Sequence, residues 1–197
     1  MGLTKKPPPC VRFVAAFASV ESVLDLVWDR LQGVWGPIAC LSLPFDFVES
    51  EYYLKTMTPP RGGLIEGESG LKKQLAIFAN PYDPALLADD KLESNRWEEA
   101  WGAAFTACKL FPASVARPIN IDPGYLSMTK LVLASTKNRE HRIYLRDGIY
   151  AEVTLAFRTQ AWVPLDWTYA DYQRADVIEF LTMGHKLFLQ GVSRGES

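Results

Sequence analysis

Between Asn120 and Phe157 the chain reads NIDPGYLSMTKLVLASTKNREHRIYLRDGIYAEVTLAF, and this stretch concentrates the side chains best suited to chemistry. It holds His141, one of two histidines, together with Glu152, Asp122 and the basic residues Lys130, Lys137, Arg139, Arg142 and Arg146. An imidazole hydrogen-bonded to a carboxylate gains basicity and titrates near neutrality, which suits general acid–base work. Grouped lysine and arginine suit a phosphate or carboxylate, because each offers charged N–H donors. His141 and Glu152 are therefore the candidate acid–base pair, with Asp122 a further carboxylate at the same mouth. Lys130, Lys137, Arg139 and Arg142 are the candidate anion clamp, and Tyr125 and Tyr169 complete the candidate ligand-binding set. His141, Glu152 and Asp122 also make a one-histidine, two-carboxylate set, but nothing in their spacing requires a metal, and the residues name no cofactor.

Asp147-Gly148 decides where these side chains fall. An Asp-Gly pair between β-rich runs predicts a two-residue type I′ hairpin, since that turn needs positive φ at both positions. The register then sets Arg146 opposite Ile149, Leu145 opposite Tyr150, Tyr144 opposite Ala151 and His141 opposite Thr154. His141 and Glu152 come out on one face as diagonal neighbours about 7–8 Å apart, a gap long side chains can close. A plainer reading stands beside the chemical one. The pair can be a satisfied contact on a polar sheet face, the basic residues solvated charge on an edge strand, and Asp122 a cap on an Asp-Pro-Gly turn.

The elements that must position these groups are legible from periodicity. Val11–Ala18 is an apolar run typical of a strand covered on both faces. Val20, Val23, Leu24, Val27, Leu31 and Val34 recur at helical spacing, with Ser19 or Ser22 available as cap and Gly36-Pro37 as stop. Ile38–Phe47 reads as a strand ending in a proline-marked irregularity, Lys73–Asn80 as a strand, the stretch from Glu49 to Gly70 as loop, and Ala85–Phe111 as mostly helical. Leu86, Leu87, Trp97, Trp101, Ala104, Phe105 and Cys108 are available for one face of that helix. The order predicts an α+β fold, an antiparallel sheet covered by helices and compatible with a ferredoxin-like half. The prediction is one domain over residues 11–190, a proline-rich lead over 1–10 and a short tail over 191–197.

Composition excludes several classes. Hydrophobic content of 48% with 22% charged residues argues against disorder. A net charge of −2 and pI near 5.7 argue against a protein built mainly to bind nucleic acid. Cys10, Cys40 and Cys108 form no CxxC pair and read as reduced thiols of a cytoplasmic protein. The apolar run after Pro9 is interrupted by Arg12 and reads as a strand, not an export signal. No stretch is apolar for the ~18 residues a membrane span needs. No GxxxxGK[ST] phosphate loop and no GxSxG nucleophile elbow are present. His185 falls between Leu181 and Leu189 on the terminal helix and reads as packing. Trp167, Tyr169 and Tyr172 of WTYADY can stack on a base or sugar, or serve as core leading into a helix capped by Asp171. No pattern specifies an oligomeric state.

From Arg117 to Tyr172 the segments NIDPGYL, KLVLASTK, HRIYL, GIYAEVTL and WTYADY resemble the bacterial proteins grouped as domain of unknown function 4416. PFDF with Tyr52-Tyr53 looks like that family's early block. The chain departs from the pattern at TPPRGGLIEGESG, an extra loop, and the family's Asn–Glu element is present only as SNRWEE, leaving Asn95 and Glu98 without an assigned role. The resemblance implies a small bacterial protein and supplies no agreed activity. The residues themselves point to an enzyme acting on a small anionic, phosphorylated or nucleotide-like ligand. A non-catalytic nucleotide- or partner-binding regulator using the same basic mouth is the alternative.

Overall fold

Apolar runs bounded by proline and glycine alternate with amphipathic helices along the whole chain, and the computed structural model describes residues 2–3, 5–47, 51–58, 70–111 and 113–193. In chain order the elements are β1 (Cys10–Ala18), α1 (Glu21–Trp35), β2 (Ile38–Leu41), β3 (Phe45–Asp46), α2 (Glu51–Met57), β4 (Lys72–Pro81), α3 (Leu87–Ala107), β5 (Ile119–Ser127), β6 (Lys130–Ser135), β7 (Ile143–Arg146), β8 (Ile149–Arg158), β9 (Ala161–Pro164) and α4 (Ala175–Ser193). Among the described residues the strands form one antiparallel sheet ordered β2-β4-β1-β5-β6-β8-β7, with β3 on β4 and β9 on β8. The first half, β1-α1-β2-β4-α3-β5, lays its strands out as β2-β4-β1-β5, the ferredoxin-like arrangement. The fold is α+β.

Strand β1 is apolar at consecutive positions because both its faces are covered. Val14 and Ala16 pack with Val23, Leu24, Val27 and Leu31 of α1 and Phe105 of α3. Phe13 and Ala15 pack with Val177, Phe180 and Leu181 of α4 on the other side. No described helix is long and apolar enough to cross a membrane.

Five local expectations are corrected. Neither Ser19 nor Ser22 caps α1: Val20 occupies the cap position without a side-chain bond, and the buried Ser19 hydroxyl has no partner among the described residues. The Ile38–Phe47 strand is two short pieces, β2 and β3, separated by the Pro44 irregularity. Residues 51–57 are helical and not loop, with Tyr53 packed edge-on against Phe17; residues 49–50 and 59–69 of that expected loop lie outside the described residues. Asp171 does not cap the last helix but is buried in a 3₁₀ turn over Ala170–Gln173. Asp122-Pro123-Gly124 is not a turn: all three lie inside β5, paired with β1 at Ala15, Val14 and Phe13.

The hairpin forms where expected, with φ of 51° at Asp147 and 77° at Gly148. Its register differs. After Arg146↔Ile149 the pairing slips, so that Tyr144 faces Tyr150 and Ile143 faces Ala151. Leu145 is an extra residue, a bulge of the kind edge strands carry. The strand starts at Ile143, so His141 and Arg142 precede the ladder and are not part of it.

Gly124 joins β5 to β6. A Cβ there would lie 2.2 Å from the Val132 carbonyl oxygen and 2.7 Å from Leu133 Cδ2. The first of these is backbone and cannot rotate away. Gly124→Ala is therefore expected to destabilise by about 1–3 kcal/mol or more through forced strand separation, read by urea denaturation. A change below ~0.5 kcal/mol would show that the joint is slack.

Candidate functional site

Strands β5 and β6 are paired only at Gly124↔Leu133, Tyr125↔Val132 and Leu126↔Leu131. Pro123, the next residue along β5, has no N–H to offer a ladder, and beyond it the two strands part. The split leaves backbone groups that must be satisfied elsewhere. Helix α3 supplies them. Ile121 donates its N–H to Glu98 Oε1 at 2.8 Å, and its carbonyl accepts from Lys91 Nζ at 2.9 Å.

These two side chains anchor a buried charge network. Lys91 Nζ also meets Asp122 Oδ1 at 2.9 Å and lies 3.7 Å from Glu98. Arg117, just before β5, donates to Glu98 Oε2 and to Asn120 Oδ1, and Asn120 Nδ2 donates to Asp122 Oδ2 at 2.8 Å. Burial raises the Glu98 carboxyl, against the pull of Lys91 and Arg117 and with a push from Asp122. Asp122 goes the other way: burial alone would raise it, but Lys91, Lys73 and Arg117 hold it below its ordinary value. Arg117 is raised, its burial more than offset by Glu98.

Opposite pairing places Lys73, Phe17 and Asn120 side by side on the α4 face of the sheet. Lys73 pairs with Asp171 from the 3₁₀ turn, and its ammonium lies 4.2 Å from the Tyr172 ring centre and 5.1 Å from that of Phe47. The third wall is β6 with β8. Glu152 Oε2 accepts from Arg142 Nε at 2.7 Å and lies 3.1 Å from His141 Nε2. Arg142 also donates to Ser135 Oγ and to the Lys137 carbonyl. His141 stacks flat on Trp167, 5.1 Å between ring centres, and Trp167 Nε1 donates to the Val153 carbonyl at 2.9 Å.

Together these walls enclose a cleft of about 480 Å³ between β5, β6, α2, α3 and the turn before α4. A wider groove of about 1110 Å³ runs between α4 and the 41–46 segment, but its charges include exposed surface pairs such as Arg174–Asp176.

Of the residues singled out from the sequence, Asp122, Glu152, Lys137, Arg142 and Tyr169 line the cleft. His141 does not: it stands behind Glu152, partly buried against Trp167. Lys130 lies at the far end of β6, opposite Ala156, and Arg139 is exposed in the loop; neither lines the cleft. Tyr125 faces the other side of the sheet, near Tyr82. His185 is buried among Phe157, Trp162 and Phe188, donates from Nε2 to the Met128 carbonyl, and its pKa is lowered by burial. Among the described residues no three His, Cys, Asp or Glu side chains are grouped to hold a metal ion.

The family model of Domain of unknown function (DUF4416) matches residues 8–188. The chain belongs to the DUF4416 family. No curated protein and no solved structure matches it. The DUF4416 match runs from the lead before β1 into α4 and so takes in every wall of the cleft.

Sequence reasoning missed Lys73, Lys91, Glu98, Arg117 and Asp171. A signal was present for three of them. Leu87, Lys91, Ser94, Glu98, Gly102 and Phe105 make one buried stripe along α3, so two charged residues occupy the phase expected of core. Lys73 similarly shares the phase of Leu75 and Ile77 on β4. Charge at core phase is a mark of a site.

Proposed function

We propose that this protein binds a small anionic ligand, carrying a phosphate or carboxylate, in the cleft between β5 and β6. The observation that carries the reading is the clustering of four carboxylate–cation pairs, Lys91–Asp122, Arg117–Glu98, Arg142–Glu152 and Lys73–Asp171, around one open cavity. Buried ion pairs add little net stability, and apolar residues of similar volume often do as well or better. Their concentration here therefore fits recognition better than folding. The volume falls in the range of about 300–1,000 Å³ usual for small-molecule sites. Phe17, Phe47, Tyr53 and Tyr172 supply apolar and stacking surface between the charges. The net charge of −2 and the small volume of the cleft favour a small molecule over nucleic acid. The three cysteines stand free, which fits a reducing cytoplasm.

A second reading, catalysis on the bound anion, is favoured by the opposite shifts of Glu98 and Asp122, since a carboxyl pair driven apart is the usual arrangement for acid and base roles. His141 reaches the cleft only through Glu152, so it fits an orienting role better than direct proton transfer.

A thermal-shift panel of phosphates and carboxylates tests both. A ligand at about 100 times its Kd stabilises by roughly 2.7 kcal/mol, which for a chain of this size raises Tm by about 5–10 °C. If no small anion shifts Tm at millimolar concentration, the binding proposal fails. Hits that turn over in the wild type but not in Asp122→Asn support the enzymatic reading; hits that only bind support the regulatory one.

A further inference from the structure

The charges lining the cleft can be matched one against another. Lys91, Arg117, Arg142 and Lys73 are each committed to a carboxylate. Lys137 is the lining cation that, among the described residues, has none; its ammonium lies 5.7 Å from the ring centres of both Tyr52 and Tyr53. Apart from the second oxygen of Asp171, which is buried, the other uncommitted polar groups that concern a ligand are neutral. The Asn95 amide and the hydroxyls of Tyr53 and Tyr169 make no hydrogen bond to a described residue. Burial, with Asp122 near by, pushes the Tyr53 phenol up to about 12, so it remains a neutral donor at physiological pH.

We infer that the ligand is a monoanion, a carboxylate or phosphodiester whose single charge is set against Lys137 and whose neutral polar groups meet Asn95, Tyr53 and Tyr169. This rests on the anionic-ligand reading above and narrows it. A second negative charge would find no unpaired cation in the lining among the described residues, because Lys91, Arg117, Arg142 and Lys73 are each already neutralised by a carboxylate. Stripping water from a second charge with no partner to replace it costs enough to weaken binding about tenfold or more. Phosphomonoesters carry roughly −1.5 to −2 at pH 7, and nucleoside triphosphates more. Both are therefore disfavoured.

Two charge ladders test this, each holding the ring constant. One is benzamide, benzoate and phenyl phosphate; the other is adenosine, 3′,5′-cyclic AMP, AMP and ATP. Calorimetry at low salt is expected to find the monoanion tightest in at least one ladder, by about tenfold over both its neutral and its more charged neighbours. Benzoate leading points to a carboxylate, cyclic AMP to a phosphodiester. Lys137→Gln should erase the preference for the monoanion over the neutral compound, and Lys137→Arg should keep it. Affinity that climbs steadily to phenyl phosphate or ATP, or a neutral compound binding as well as its monoanion, overturns the inference while leaving anion binding intact. If neither ladder nor inorganic phosphate perturbs the NMR signals of Lys137 and Tyr53, the inference and the reading beneath it fall together.

Discussion

Replacing Lys73 by methionine is expected to destabilise the fold by about 3–5 kcal/mol, lowering Tm by roughly 6–20 °C for a chain of this size. Methionine matches most of the lysine's apolar stem, so little packing is lost. What is lost is the charge. Lys73 is 3% exposed and Asp171 5% exposed. One oxygen of Asp171 meets Lys73, and the other is buried with no hydrogen-bond partner among the described residues. Without the ammonium the carboxylate is buried alone, which is the costly case. The aromatic rings of Tyr172, Phe47 and Phe17 that face the ammonium would not help, because their faces repel an anion. The pair also joins residues 98 apart in sequence, tying β4 to the turn that leads into α4. The control is Lys73→Met with Asp171→Leu, which removes both charges and should recover most of the loss. Chemical denaturation of the single and double variants measures this. A single variant within ~1 kcal/mol of wild type, or a double variant no better than the single, would show that a stranded Asp171 charge is not what the substitution costs.

Glu98→Ala is expected to cost a similar ~3–5 kcal/mol for a different reason. It leaves the Ile121 N–H on the unpaired edge of β5 without its acceptor and the partly buried Arg117 without its carboxylate, and it takes one of two carboxylates from the buried Lys91, which keeps Asp122. Glu98→Gln keeps an acceptor for Ile121 and should lose less. It also isolates a pH effect whose sign follows from the direction of the shift. The Glu98 carboxyl is raised by burial, so the folded chain holds that proton more tightly than the unfolded chain. Its contribution is then fully present below the unfolded value of about 4.3 and is lost as pH rises through the folded value. The stability of wild type relative to Glu98→Gln should therefore fall as pH is raised from about 4. Asp122, held low, contributes in the opposite sense: its part is present above about 3.9 and disappears as pH falls below that. Urea titrations of both proteins between pH 4 and 7 decide the matter. A difference that grows with pH would mean that Lys91 and Arg117 outweigh burial at Glu98.

What the sequence determined by itself was local. The turn at Asp147-Gly148 follows from the φ values that pair allows, and α1 follows from a run of valine and leucine at helical spacing. The ferredoxin-like half follows from the order of elements, because few antiparallel arrangements satisfy strand–helix–strand–strand–helix–strand. The contact between His141 and Glu152 was anticipated from a regular ladder, yet it is made differently. A bulge at Leu145 shifts the register, and His141 reaches Glu152 from the turn before β7 beside Arg142. A single extra residue at a sheet edge costs little, so no local pattern announces it. The cleft itself was decided only by the tertiary structure. Pro123 and Gly124 read as a turn because turns are where that pair is commonest, but inside β5 the same two residues end the pairing with β6 at one rung. Which cation then neutralises which carboxylate depends on α3, β4, β5, β8 and the turn before α4 meeting in space. A charge has no preferred partner in sequence; burial forces it to take whichever opposite charge the packing brings within reach.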